Sequence, residues 1–251
     1  MKHLVNNSLL EFENVGSTNK VAAKILAAGK PVEGTVIITQ FQSQGVGLGT
    51  NTWESQPGKN LLMSLILYPT FLEPARQFLL HKISSLAVMD TVRVLTQTEE
   101  ITIKWPNDIY AGNKKIAGTL TNNIIAGNLI KSSVVGIGLN INQVTFSENL
   151  PNPVSMKMIT GKTFEVKKVL NLLCEKIDHY YDLLKNNQVQ LIDDLYLKSL
   201  LNYQVDANYK TGDEVFTGRI FNVSEYGKLQ IMHGSRLREF DIKEIEYLLF
   251  G

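Results

Sequence analysis

Between Lys115 and Ile141 the chain runs through two long β-patterned stretches, Lys115 to Ile125 and Leu129 to Ile141, broken only by Ala126-Gly127-Asn128. Gly and Asn between such stretches are the residues of a tight turn, so a hairpin is predicted here. The second stretch ends Gly136-Ile137-Gly138-Leu139-Asn140-Ile141-Asn142. Successive strand residues point to opposite faces, which puts Ile137, Leu139 and Ile141 on one face and Gly136, Gly138, Asn140 and Asn142 on the other. The apolar face must be covered by other elements. Glycines on the opposite face mark the close approach of another backbone or of a ligand.

The flanking elements supply the cover. Ser17 precedes Thr18 to Ala28, where Val21, Ala22, Ile25 and Leu26 recur at helical spacing, so a helix capped by Ser17 and stopped at Gly29 is predicted. Thr35 to Thr39 is a short β-branched strand, Gln42 to Lys59 a polar glycine-rich loop, and Asn60 to Leu67 an apolar strand. Pro74 to Thr96 reads as a long packed helix and Ile101 to Lys104 as a strand. Two further helices, Phe164 to Leu184 and Val189 to Leu201, present Val166, Val169, Leu170, Leu173 and Ile177 to a core. After Tyr203 the texture changes to short strands and turns, Asp213 to Ile220, Lys228 to Met232 and Arg238 to Ile242, which suggests a small barrel. The division expected is therefore 1–202 and 203–251.

Charge narrows the partners. The 25 basic and 24 acidic residues nearly cancel, and no Lys/Arg block stands out. This gives no electrostatic footprint for nucleic acid or an acidic membrane, and a small or protein-borne substrate fits better. Met1 to Val15 is neither a signal nor a transit pattern, and no run approaches the roughly 18 apolar residues of a membrane span. The single cysteine, Cys174, sits in an apolar run and reads as a buried structural thiol. With no disulfide available, a cytoplasmic home is expected. His3, His81, His179 and His233 are scattered, so no dedicated metal cage is expected.

Four segments carry candidate chemistry. Ser17-Thr18-Asn19 is a helix cap, or else a set of hydroxyls and an amide at a helix N-terminus that grips a polar head group. Gln42 to Trp53 contains Gly45, Gly47 and Gly49, but its sixth position is Thr50 and no helix pattern follows. The dinucleotide reading is therefore set aside in favour of a loop closing over a ligand. Lys104-Trp105-Pro106-Asn107-Asp108 places a cation, an aromatic, a rigid turn and two short polar side chains directly after a strand. Lys115, in Lys115-Ile116-Ala117-Gly118, is a cation leading into the first long β stretch.

Taken in order, these segments and Gly136 to Asn142 resemble the biotin protein ligase family over nearly the whole chain. The resemblance implies an α+β fold, a mixed sheet with helices akin to class II aminoacyl-tRNA synthetases and lipoate ligases, followed by an SH3-like barrel. It implies that ATP and biotin form biotinyl-5'-AMP and that biotin passes to a lysine of a biotin carboxyl carrier protein domain. By this resemblance Ser17, Thr18, Asn19, Gln42, Gly45, Gly47 and Gly118 contact biotin. Lys115 holds its carboxylate and the α-phosphate as the catalytic residue. Trp53, Lys104, Asn107, Asp108 and Asn140 line the nucleotide, with Asp108 also placing Mg²⁺ beside the triphosphate. Some family members carry an N-terminal winged helix; Ser17 lies so close to Met1 that a ligase without DNA-regulating function is implied. Leu129 to Ile141 either pairs between two copies, as in a homodimer, or is covered within the chain.

The sequence departs from the family in the loop, where arginines normally stand between the glycines. Here Gly45-Val46-Gly47-Leu48-Gly49 carries none, and Gln42 to Gln56 contains no cation at all. Losing one donor aimed at developing charge typically costs on the order of 3 kcal/mol. Three readings follow: an active ligase with a weakened loop that releases its adenylate faster, a non-catalytic biotin-binding member of the fold, or a lipoate-type ligase. If the barrel helps hold ATP or docks the carrier, Arg236 and Arg238 are its cations to test, with ordinary solvated charges the favoured reading of both.

Overall fold

The computed structural model describes residues 5, 8–49 and 51–249; His3 and Thr50 lie outside them. A seven-stranded sheet forms the centre. Its strands are β1 (Ser8–Val15), β2 (Thr35–Gln42), β3 (Leu61–Leu67), β4 (Ile101–Lys104), β5 (Asp108–Ala111), β6 (Lys114–Ala126) and β7 (Leu129–Leu139). They lie in the order β1-β2-β3-β7-β6-β5-β4. Only β1 and β2 run parallel; the other pairs are antiparallel.

The predicted hairpin is β6-β7, with Gly127 in the left-handed region (φ 59°) that its turn requires. β7 bonds to β6 along its whole length and to β3 over Ser133 to Leu139, so that part of the stretch is covered within the chain, while Leu129 to Ser132 pairs with β6 alone. The alternation is also as expected. Val135, Ile137 and Leu139 join the main core, while Gly136 and Gly138 face away from it.

That core is roofed by α2 (Phe78–Thr96), α4 (Val166–Lys185) and α5 (Val189–Lys198). Cys174 is buried on α4, and burial pushes its thiol up to about 12, so it is no nucleophile. The other face carries α1 (Thr18–Ala28), whose Ala22 packs with Ile37, Ile66 and Val134. Ser17 does occupy the N-cap position with extended backbone, but its side chain makes no cap hydrogen bond, contrary to the expected hydroxyl cap. Five elements escaped the sequence reading: β1, β5, a short α3 (Met156–Thr160), β8 (Asp206–Thr211) and the two-residue β12 (Glu246–Tyr247).

From Asp206 onward, β8, β9 (Glu214–Val223), β10 (Leu229–His233), β11 (Arg236–Phe240) and β12 (Glu246–Tyr247) form a five-stranded antiparallel sheet in the order β11-β10-β9-β8-β12. It shares the main core, since Tyr209, Phe216, Ile220 and Tyr247 are contiguous with Tyr196 and Leu200. The junction is specific. Trp105, buried just after β4, donates Nε1–H to the Gly227 carbonyl at 3.0 Å, and a Cβ on Gly227 would overlap the Phe78 ring.

Trp105→Phe would leave the Gly227 carbonyl unsatisfied in a buried junction, so it should cost about 1–3 kcal/mol in urea unfolding. A midpoint unchanged from the unsubstituted chain would show that this bond does not hold the two sheets together.

Candidate active site

A cleft opens on the face of the central sheet that carries α1, and its floor is made by what is missing. Across the strands Gly138 pairs with Gly118 on one side and Leu62 on the other, and Gly136 faces Ser64. A Cβ on Gly136 would overlap the Asn19 amide, and one on Gly138 would overlap the Trp53 indole. The glycine face is thus filled by two side chains from other elements, as the alternation predicted.

The polar wall is built at the start of α1. Gln42, the last residue of β2, accepts at Oε1 from the Thr18 backbone N–H at 2.7 Å and stands 3.1 Å from the Thr18 hydroxyl. Ser64 Oγ lies 2.7 Å from Thr18 Oγ1 and 2.5 Å from Asn19 Oδ1. Ser17, Thr18 and Asn19 are all buried, and Asn19 Nδ2 finds no partner among the described residues. A buried donor left without a partner is costly, which marks this wall as one that a ligand completes.

The glycine-rich loop folds back on itself rather than running free. Val46 bridges Thr52, Gly47 N–H donates to the Asn51 carbonyl at 2.8 Å, and Trp53 N–H to the Gly45 carbonyl at 3.0 Å. This ribbon carries Trp53 back over Gly138, where its Nε1 is buried and unpartnered. Val46, Gly47 and Leu48 line the cleft, whereas Gly45 packs beneath the Trp53 backbone instead.

At the far wall Lys115 Nζ pairs with Asp108 Oδ1 at 2.7 Å and lies 5.8 Å from the centre of the Trp53 ring. Asp108 opens β5 and Lys115 is the second residue of β6, and Asp108 sits directly across from Gly118. A Cβ on Gly118 would approach Asp108 Oδ1 to 3.1 Å, so the glycine leaves the ion pair its space. Asn107 lies in the wall with its amide spent on the Thr119 carbonyl. Lys104 is held 5.6 Å from the Tyr110 ring centre and 5.4 Å from that of Tyr247. Burial lowers its pKa against the opposing pull of Asp108.

A second lobe adjoins the first. Asn140, Phe146, Leu150, Pro151 and Pro153 line it, and it shares Trp53 and Lys115 with the first lobe. Asn140 Nδ2 donates to the Val154 carbonyl at 3.1 Å, leaving Oδ1 buried without a partner among the described residues. All the predicted site residues but Gly45 therefore line one lobe or the other, and Lys115 lines both.

Two further contributors escaped the sequence reading. Ser64 is the only polar residue of β3, Leu-Leu-Met-Ser-Leu-Ile-Leu, and a lone hydroxyl in an apolar strand was its signal. Lys243, between β11 and β12, lines the first lobe. Of the two C-terminal arginines, Arg238 pairs with Glu214 at 2.8 Å and stacks on Phe216, and neither Arg238 nor Arg236 lines the cleft, in keeping with ordinary surface charges.

The two lobes meet at Lys115, on the face of a mixed sheet. The chain belongs to the biotin/lipoate A/B protein ligase family, whose sequence model matches residues 11–140. It is 28% identical to the bifunctional ligase/repressor BirA of Bacillus subtilis over 98% of this chain and 76% of the relative. To the biotin--[acetyl-CoA-carboxylase] ligase of Mycobacterium tuberculosis it is 25% identical, covering 88% of this chain and 82% of that one. In fold it matches the biotin protein ligase of Aquifex aeolicus, solved with biotin and ATP, with a TM-score of 0.79 and 24% identity over 96% of this chain and 98% of that one.

Gly138→Ala should evict the Trp53 ring from the floor of the cleft. Measured in a Trp105→Phe background, indole emission should shift to the red on this substitution; an unshifted spectrum would show that the ring does not lie against Gly138.

Proposed function

We propose that the chain is an ATP-dependent biotin protein ligase, which adenylates biotin and transfers it to a lysine of a biotin carboxyl carrier protein domain. The observation that carries this reading is the place of Lys115, the one cation lining both lobes of the cleft. Activation must bring a carboxylate and a triphosphate together, and a fixed ammonium between them offsets their repulsion and the charge that develops at phosphorus. Asp108 holds that ammonium in place.

Biotin's fused rings occupy the lobe walled by Ser17, Thr18, Asn19 and Gln42, above the floor that Asn19 and Trp53 complete against Gly136 and Gly138. The nucleotide lies on the side of Trp53, Asn107, Asp108 and Asn140. A carboxylate oxygen of biotin attacks the α-phosphorus and pyrophosphate leaves. In the second step a deprotonated lysine amine of the carrier attacks the anhydride carbonyl, and AMP departs with the carboxylate oxygen.

Mg²⁺ fits as an ion borne by the nucleotide. No group of three or more His, Cys, Asp or Glu that could hold a metal exists among the described residues, while Asp108 offers one carboxylate beside the cleft. Mg²⁺ commonly takes one or two carboxylates with phosphate oxygens and water, and supplies charge neutralisation there.

The family covers both biotin and lipoate ligases, and the polar wall favours biotin. A ureido ring carries a carbonyl and two N–H groups for Thr18, Asn19 and Gln42 to meet, whereas a dithiolane would leave them unpaired. A site built to hydrogen-bond rejects an analogue lacking those groups by roughly 10⁴-fold or more. A cytoplasmic home belongs to the same reading and is supported by the single cysteine, Cys174, buried as a free thiol; among the described residues no helix is long and apolar enough to cross a membrane.

Exchange of labelled pyrophosphate into ATP tests this. The reading expects exchange with biotin, little with lipoate, and a loss of roughly a hundredfold or more in Lys115→Ala. Biotin binding without exchange would instead establish the non-catalytic reading that Val46 and Leu48 suggest, and preferential exchange with lipoate would establish the other ligase.

A further inference from the structure

Three lysines and one carboxylate line the first lobe: Lys104, Lys115, Lys243 and Asp108. Two of these cations are committed, Lys115 to Asp108 and Lys104 to the rings of Tyr110 and Tyr247. Lys243 is exposed and makes no ion pair or hydrogen bond with its side chain among the described residues.

Its placement is built rather than incidental. Lys243 adopts φ 75°, the left-handed region that a side-chain-bearing residue rarely occupies. The turn around it is clamped at both ends, with Glu244 N–H donating to the Asp241 carbonyl at 3.0 Å and Asp241 N–H to Glu244 Oε2 at 2.7 Å. On either side Ile242 and Ile245 line the cleft and pack against the main core. The ammonium is thereby delivered to the tip of the glycine-rich loop, where it fills the space a Cβ on Gly49 would need. Gly49 itself is left-handed (φ 66°), and its lack of a side chain admits the lysine. Outliers of this kind persist where the surroundings over-determine them, and they concentrate at ligand clamps.

The loop that receives this ammonium contains no cation of its own. We propose that Lys243 is a second phosphate-binding cation of the cleft beside Lys115, so that the C-terminal sheet supplies to the nucleotide's phosphates the charge that the Gly45 to Trp53 loop lacks. The inference rests on the ligase reading for its ligand, but it concerns a residue of the second sheet, and phosphate binding is measurable apart from chemistry. It also gives the second sheet a role in the site: the Trp105–Gly227 junction and the packing of Ile242 and Ile245 hold the turn that carries Lys243 at the lobe.

The test uses the full chain with ATP as the probe, titrated calorimetrically, and biotin titrated separately. Lys243→Gly removes the charge and relieves the left-handed backbone, so any loss it causes is not strain. A charge-assisted contact of this kind corresponds to roughly a ten- to hundredfold change in affinity. ATP affinity should fall by that factor in Lys243→Gly, biotin affinity should stay within about twofold, and Lys243→Arg should retain ATP binding. Adding Val46→Arg to Lys243→Gly should recover part of the loss, because the charge returns from the loop side. ATP affinity unchanged in Lys243→Gly would overturn the proposal, as would equal losses for ATP and biotin, which would make Lys243 merely structural. A chain that binds ATP through Lys243 yet shows no biotin-dependent exchange would sink the ligase reading and leave this assignment standing.

Discussion

The structure depends on a strip of sheet without side chains. Gly118, Gly136 and Gly138 adjoin one another on β6 and β7, and Asn19, Trp53 and the Lys115–Asp108 pair all stand in the space those glycines leave. A strand interior rarely tolerates glycine, which packs nothing and adds chain entropy to be lost on folding. The strip is tolerable here because the reverse face of the same strand is deeply buried, with Val135, Ile137 and Leu139 in the main core. One strand therefore anchors the fold with alternate residues and opens the site with the others.

Around that strip, each wall comes from a different part of the chain. The start of α1 and the end of β2 meet through Gln42 and Thr18, the loop after β2 returns Trp53, and the starts of β5 and β6 bring Asp108 and Lys115 together. The C-terminal sheet closes the rim through Ile242, Lys243 and Ile245. Its core is continuous with that of the central sheet, so the rim is set by packing rather than by a flexible tether.

The central strands and long helices were legible in the sequence because period and burial agree there. The hairpin at Gly127, the glycine face of β7 and the helices from Phe78 to Lys198 all announce themselves by alternation or helical spacing. β1 was not legible, since four of its eight residues are polar or charged and it lies at an edge with little to bury. β5 was hidden because Pro106-Asn107-Asp108 reads as a turn, while Asp108 is already the first residue of a four-residue strand. The candidate site was legible through the resemblance for the residues that carry recognisable spacing. Ser64 and Lys243 were not, because each acts by where the fold brings it: one hydroxyl within an apolar strand, and one lysine in a turn of a different sheet.

The reading turns on one bond-forming event in this cleft, between a carboxylate oxygen and the α-phosphorus. Biotin carrying heavy oxygen in its carboxylate, incubated with the full chain, ATP and hydroxylamine as acceptor, reports that event directly. The account predicts AMP bearing one labelled oxygen, since the carboxylate oxygen that attacks phosphorus stays with AMP when the acceptor takes the acyl group. Label absent from AMP, with biotin and ATP both present, would contradict it.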